Sequence, residues 1–420
     1  MDLVALPVVS GGQIARVRPA RRKTDLLNAI GARMLLVVLM AAVVVAWSPR
    51  YWAVTLLHAG VFGLGVAWLW SNVAARRPVE WNGLYLPMFA VGLWGVLQLA
   101  TGTTVYRFQT TRALLYWSAN AVVMFLAAQF LQPKHLRRSF LSGLACFMGG
   151  IAVIGILQYF TSPYKIYWTF SIPQHVKAIG PFVYRNQFAA MVELVLPIAL
   201  YRLMEKRSPR DTPRWVFALL SAVLFAVVVA TASRAGTLLV ATEMVFIFLL
   251  GWSKGMVSGR SLAMILSQVL AMALVFTLVV GFQDVWSRFH QANPYALRGK
   301  LTASTVQMIR ERPFMGSGLG TWQTVYPEFA VFDNSLFANE AHNDWAQWTA
   351  EGGVIFGLSL AVLATGAARL AWRNIWGLGV VFVLLHSFID YPMREPVIGA
   401  VLFVLIGAMI ATDGACEVED

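Results

Sequence analysis

The chain has 420 residues, 58% of them hydrophobic and only 13% charged, with a mean hydropathy of +0.65. A soluble protein needs roughly 25% charged residues to cover its surface, so a soluble enzyme is excluded, and the same numbers exclude disorder. The net charge of +13, from 33 Lys and Arg against 20 Asp and Glu, points in so apolar a chain to loop orientation first and an anionic ligand second, not to nucleic acid.

In chain order, the first stretch is a basic arm, residues 1–29, with Arg16, Arg18, Arg21, Arg22 and Lys23. The apolar run behind it is long for a signal-peptide core and another apolar run follows at once, so a retained first helix is expected. A spanning helix needs about 20 mostly apolar residues. By that measure the fold class is an all-α polytopic membrane protein of about twelve spans. They are expected at 30–47, 51–71, 83–100, 112–131, 139–160, 184–203, 215–232, 236–251, 262–281, 353–371, 375–391 and 396–411. If the spans alternate, about 20 of the 33 Lys and Arg fall on the side of the arm. That bias predicts a cytoplasmic arm and a cytoplasmic tail, residues 412–420. Between them lie spans one to nine (30–282), one long outer loop (283–352) and spans ten to twelve (353–411). Cys146 and Cys416 show neither disulfide nor metal spacing.

Loops as long as 283–352 are usually functional. Within it, Leu297 to Arg312 has helical spacing, with Leu301, Val306, Met308 and Ile309 on one face and Arg298, Lys300 and Arg310 near another. This predicts an amphipathic helix lying on the membrane or the bundle, stopped by Pro313. A second short helix is expected over 339–350, with Asn339 as its N-cap. Between them, Pro313 to Gly320 forms a glycine-rich turn, read either as structural or as an anion nest of backbone N–H groups.

Ionisable groups inside spans are costly and mark function or a partner. Arg185 and Asn186 stand at the mouth of the sixth span, with Glu193 about two turns deeper. Arg234 occupies the short turn between the seventh and eighth spans, with Glu243 below it. His386 and Asp390 close the eleventh span, and Tyr391, Pro392 and Arg394 follow. The long loop adds Arg288, Arg298 and the run Ala341-His342-Asn343-Asp344. Arg185, Arg234 and Arg298 share the outer side. Guanidiniums bind phosphate oxygens through a planar fork, so three of them suit a diphosphate. The alternative is that they anchor helix ends or pair with Glu193 and Glu243. His342 reads as a general base, or as a helix cap. Asp344, Glu340 or Glu351 stand close enough in sequence to orient it, and His386 is the second choice of base or a supporting partner. No HExxH, GxSxG or Asp-x-Asp pair occurs, so no metal or other cofactor is expected.

The ordered motifs resemble the O-antigen ligase and O-antigen polymerase superfamily of bacterial membrane glycosyltransferases. The pieces are Gly180-Pro181-Phe182-Val183-Tyr184-Arg185-Asn186-Gln187, then Thr231-Ala232-Ser233-Arg234-Ala235-Gly236, then Leu297-Arg298-Gly299-Lys300. Arg312-Pro313-Phe314-Met315-Gly316-Ser317-Gly318-Leu319-Gly320 follows, and Glu340-Ala341-His342-Asn343-Asp344 with Glu351-Gly352-Gly353 is last. Gly299-Lys300 departs from the pair usual in that family. The resemblance spans about 180–391 and implies a fold like the GT-C membrane glycosyltransferases, with a catalytic periplasmic loop, in the bacterial inner membrane. It implies a glycan donor linked to undecaprenyl diphosphate, a glycan or lipid acceptor such as lipid A core, and metal-independent inverting transfer at the periplasmic face. By position, Arg185, Arg234 and Arg298 would hold the diphosphate, and His342 with Arg234 would be catalytic. Asn186, Asn343, Asp344, Glu351, His386 and Asp390 would support them. A repeat-unit polymerase of the same superfamily is the alternative, and a polytopic transporter or lipid flippase is the alternative from another class.

Overall fold

The computed structural model describes residues 19–48, 51–75, 78–172, 179–205, 212–280, 290, 295–332 and 337–416. Arg16, Arg18, Arg76, Arg77, Arg288 and most of 281–294 lie outside the described residues, as do the side chains of Arg21, Arg22 and Lys23.

The described chain is a bundle of helices. They are α1 Pro19–Val45, α2 Tyr51–Ala75, α3 Tyr85–Thr101, α4 Arg107–Phe130, α5 Lys134–Thr161, α6 Arg185–Met204, α7 Arg214–Thr231, α8 Arg234–Ser253 and α9 Gly259–Val280. After these come α10 Ala296–Glu311, α11 Asp344–Arg373, α12 Gly379–His386 and α13 Pro396–Cys416. A two-strand ribbon pairs Lys165–Ile166 with Phe170–Ser171 between α5 and α6. Each expected span falls on one of these helices. Nine helices are long and apolar enough, among the described residues, to cross a membrane, and the chain is a multi-pass membrane protein.

Two helices form the axis. In the most apolar windows of α6 and α13, 89% and 83% of the residues are buried, against 17% for α2. A helix apolar on every side belongs inside a bundle, and one apolar outward belongs against lipid. Trp117 of α4 ties the interior together through edge contacts with Trp348 and Phe356 of α11 and Phe403 of α13.

Antiparallel alternation decides where the polar residues go. α2, α4, α6, α8, α11 and α13 all begin at one end of the bundle, and α12 finishes there. Residues far apart in sequence, from Tyr51 to Arg394, are gathered at that end. Gly236 brings two of these starts together: a Cβ there would collide with Ala189 Cβ and sit 3.1 Å from Ser233 Oγ. Glycine thus lets the first turn of α8 press against α6.

The structure differs from the sequence reading in four places. The eleventh expected span, 375–391, ends as a helix at His386. Ser387 to Asp390 turn back on the last helical residues instead, and Pro392 disfavours helix at Tyr391. The helix expected to begin at Asn339 begins at Asp344. Its cap is Asn343, whose side chain accepts from Ala346 N at 2.9 Å, leaving Asn339 outside the helix. α11 then runs past the expected start of the tenth span at 353, broken only where Gly353 takes φ 77°. Lastly, α10 forms as expected and Pro313 follows its end, but Val306 is exposed. Leu301, Ser304, Thr305 and Met308 make the buried face, packed with Trp322, Val325 and Tyr326.

The glycine-rich turn is structural. Ser317 N donates to Ala350 O, Gly318 N to Glu351 O, Gly316 N to Arg312 O, and Leu319 N to Gln98 Oε1. Those N–H groups are therefore spent on the fold and form no anion nest. Gly316 and Gly353, both at positive φ, face each other so closely that a Cβ on either would strike backbone of the other segment.

Candidate active site

Asp390 is the hub of the polar end. It lies in the turn after α12, 1% exposed. His342 Nδ1 lies 3.2 Å from its Oδ1. Arg298, in the first turn of α10, donates from Nη2 to its Oδ2 at 2.9 Å and from Nη1 to Ile389 O at 2.7 Å. Asn186 Nδ2 also donates to Oδ2, and the Tyr184 hydroxyl donates to the same oxygen at 3.2 Å. Burial alone would raise the Asp390 carboxyl. The His342 hydrogen bond and the Arg298 charge outweigh that and hold it below the usual carboxylate range. Asp390 is therefore an anion at neutral pH, and it fixes a histidine and an arginine at once.

His342 is positioned twice over. Its backbone takes φ 55°, a left-handed conformation uncommon outside glycine. The next residue is the Asn343 cap, and Asp344 N donates to Ser387 O at 2.8 Å and Asp390 O at 3.3 Å. The imidazole meets Tyr391 edge-on at 4.8 Å, and Tyr391 stacks on Tyr184 at 5.1 Å. Burial pushes both tyrosine hydroxyls above the ordinary phenol range, so both remain protonated. A carboxylate at Nδ1 favours the tautomer with its proton there, leaving Nε2 as an acceptor. His342 forms part of the wall of a cleft of about 680 Å³.

The cations surround this hub. Arg185 is the first residue of α6 and Arg234 the first of α8. Both stand at helix N-termini, where backbone N–H groups and the helix dipole favour an anion. Arg234 and Arg298 lie over the same ring, with guanidinium carbons 5.5 and 5.4 Å from the Tyr295 centroid. The structure thus brings Arg234, Arg298, His342, Asp390 and Asn186 into one constellation, with Arg185 adjoining Tyr184.

The carboxylates near His342 in sequence do something else. Glu340, Asp344 and Glu351, the expected orienting acids, converge on Arg394 instead, at 3.6, 3.5 and 3.2 Å. Asp344 follows its cap into the first turn, where Oδ2 accepts from Met393 N at 3.1 Å and Ser387 Oγ at 3.3 Å. Glu351 accepts from Trp322 N at 3.3 Å and Gln347 Nε2 at 3.2 Å. Burial raises Glu340 to about 7 against the pull of Arg394. Asn343, Asp344 and Glu351 therefore hold the backbone that carries His342. His386 is fully buried, with Nδ1 2.9 Å from Glu193 Oε1 on α6. It cannot reach a substrate in the cleft, and it braces α12 on α6.

Tyr184, Tyr391 and Arg394 stand in the sequence as neighbours of the candidate residues without a role, and Tyr295 is not singled out there. Arg394 was the detectable one, as a cation two residues beyond a proline and four beyond Asp390. Tyr295 carried no signal, because its value lies in the ring shared by two guanidiniums.

No curated protein matches the chain. A family model described as O-antigen ligase matches residues 216–361. That stretch holds Arg234, Arg298 and His342 and leaves Arg185, Asp390 and Arg394 outside it. Over those residues the chain is similar to the O-antigen ligases, which supports the resemblance of its motifs to the O-antigen ligase and O-antigen polymerase superfamily.

Proposed function

We propose that the protein transfers a glycan from undecaprenyl diphosphate to an acceptor hydroxyl, as a GT-C-like, metal-independent and inverting enzyme of the bacterial inner membrane. Lipid A core or another surface glycan is the acceptor, the site faces the periplasm and both termini are cytoplasmic. The observation that carries this reading is the single constellation in which Asp390 orients His342 among Arg298, Arg234 and Arg185.

In the proposed reaction the acceptor oxygen attacks the anomeric carbon as the carbon–oxygen bond to the diphosphate breaks. His342 Nε2 takes the hydroxyl proton. The leaving diphosphate keeps the bonding electrons and gains negative charge. Arg185 and Arg234 meet that charge from helix N-termini, and Arg298 meets it with the N–H groups not given to Asp390 and Ile389. Asp390 stabilises the imidazolium that forms. Single displacement, with the acceptor oxygen entering opposite the departing diphosphate, inverts the anomeric centre. Ligase and polymerase share this chemistry and differ in the acceptor.

Deleting the gene and restoring it with wild type or His342→Ala tests the reading. A ligase deletion leaves long glycans on the carrier lipid, and a polymerase deletion leaves single repeat units. His342→Ala is expected to reproduce the deletion at wild-type protein levels. Full restoration by His342→Ala removes the proposed base. A deletion that strands glycans on the cytoplasmic leaflet points to a flippase instead.

A further inference from the structure

A second cleft, of about 520 Å³, opens at the same end of the bundle between the starts of α2, α4, α11 and α13. It shares Gln323, Asn339 and Glu340 with the cleft walled by His342 and Tyr391, so the two adjoin. The proposed chemistry makes no use of it.

Its lining is unlike a lipid-facing surface. Arg112 of α4 lies over the Tyr51 ring at 4.3 Å and donates to Gln109 Oε1 at 3.3 Å. His58 of α2 lines one wall, and the exposed Asn339, which caps no helix, lines another. Arg394 is already held by three carboxylates. Amides, an imidazole and a guanidinium beside aromatic faces suit a sugar, whose hydroxyls need polar partners and whose ring faces are apolar. A hydrocarbon tail would strip those polar groups of water and return no hydrogen bond.

We infer that this cleft is a saccharide subsite, holding a sugar unit of the donor or acceptor glycan while the reacting end lies at His342. The inference rests on the transfer reading above. Tyr51, His58, Gln109 and Arg112 precede residue 216, so one wall of the cleft lies outside the stretch that matches the family, while Gln323 and Asn339 lie within it.

The test uses the full chain in nanodiscs. Trp117 and Trp348 line the cleft, so tryptophan fluorescence reports its occupancy. Three probes are titrated: lipopolysaccharide core oligosaccharide, repeat-unit oligosaccharide released from the carrier by mild acid, and a short polyprenyl diphosphate without sugar. Arg112→Gln and Asn339→Ala are each expected to weaken one oligosaccharide about tenfold, the loss of one good polar contact. They leave polyprenyl diphosphate binding intact and raise KM for the affected substrate with kcat kept. The oligosaccharide that responds identifies the source as acceptor or donor. Asn339 supports no helix, so its variant separates lost binding from misfolding. Wild-type affinity of both variants for both oligosaccharides overturns the subsite, as does an effect confined to the polyprenyl diphosphate. Saccharide binding that depends on Arg112, in a protein that transfers nothing, upholds the subsite and removes the transfer reading.

Discussion

At the scale of single residues, the site depends on which acid serves His342. Sequence proximity favoured Asp344, Glu340 and Glu351, and the structure uses Asp390, 48 residues away. The error has a physical source: a capping asparagine directs the next side chain into the helix start, away from the preceding histidine. The three arginines and His342 stand out in the sequence because ionisable groups are rare in so apolar a chain. Asp390→Asn should release both His342 and Arg298, so kcat should fall and donor KM should rise together. A rise in KM with kcat unchanged would show that Asp390 acts on Arg298 alone. Glu340 yields a pH prediction. Its folded value is raised to about 7 from an ordinary 4.5. Between those values the native state holds more protons than the unfolded state, so this group's contribution to stability falls as pH rises. Melting in detergent from pH 4.5 to 7.5 should show that decline in wild type, and Glu340→Gln should make it shallower. Parallel profiles would contradict the assignment.

At the scale of elements, periodicity and apolar run length placed nearly every helix, because a membrane span is the strongest signal a sequence carries. The breaks were less legible. The eleventh run stays apolar through Phe388 and Ile389, so nothing in its composition marks the end at His386. That end is imposed by Pro392 and by backbone bonds to the start of α11. Two substitutions probe how elements hold the site. Gly236→Val inserts volume where α8 touches Ala189 of α6, and should cost about 1–3 kcal/mol while moving Arg234. Diphosphate affinity should fall more than the melting temperature alone explains. Asn343→Ala removes the cap of α11 and should cost about 1 kcal/mol. It should lower transfer further still, because the cap sets the backbone next to His342. Wild-type transfer by a destabilised Asn343→Ala would show that the cap serves stability only.

At the scale of the whole molecule, a chain short of charge brings polar residues of several distant segments together at one end of its bundle, while Arg138 and Arg202 pair with Glu205 at the other. Antiparallel alternation brings the starts of α6, α8 and α11 and the end of α12 to the end that holds Asp390, and α10 packs there from the long loop. The direction of each side chain at that end was not legible, since it depends on turns whose backbone bonds run between distant segments. No group of His, Cys, Asp and Glu suited to a metal occurs among the described residues, and transfer is expected to survive EDTA. Strict dependence on added Mg²⁺ or Mn²⁺ would count against the reaction as drawn. The most direct measurement is single-turnover transfer from a lipid-diphosphate glycan to an acceptor by purified protein in proteoliposomes. The account predicts product from wild type, a loss of about 10²–10⁴ in rate for His342→Ala, and a comparable loss for Arg234→Ala from the charge it meets on the leaving diphosphate. Transfer at the wild-type rate by both variants would contradict it.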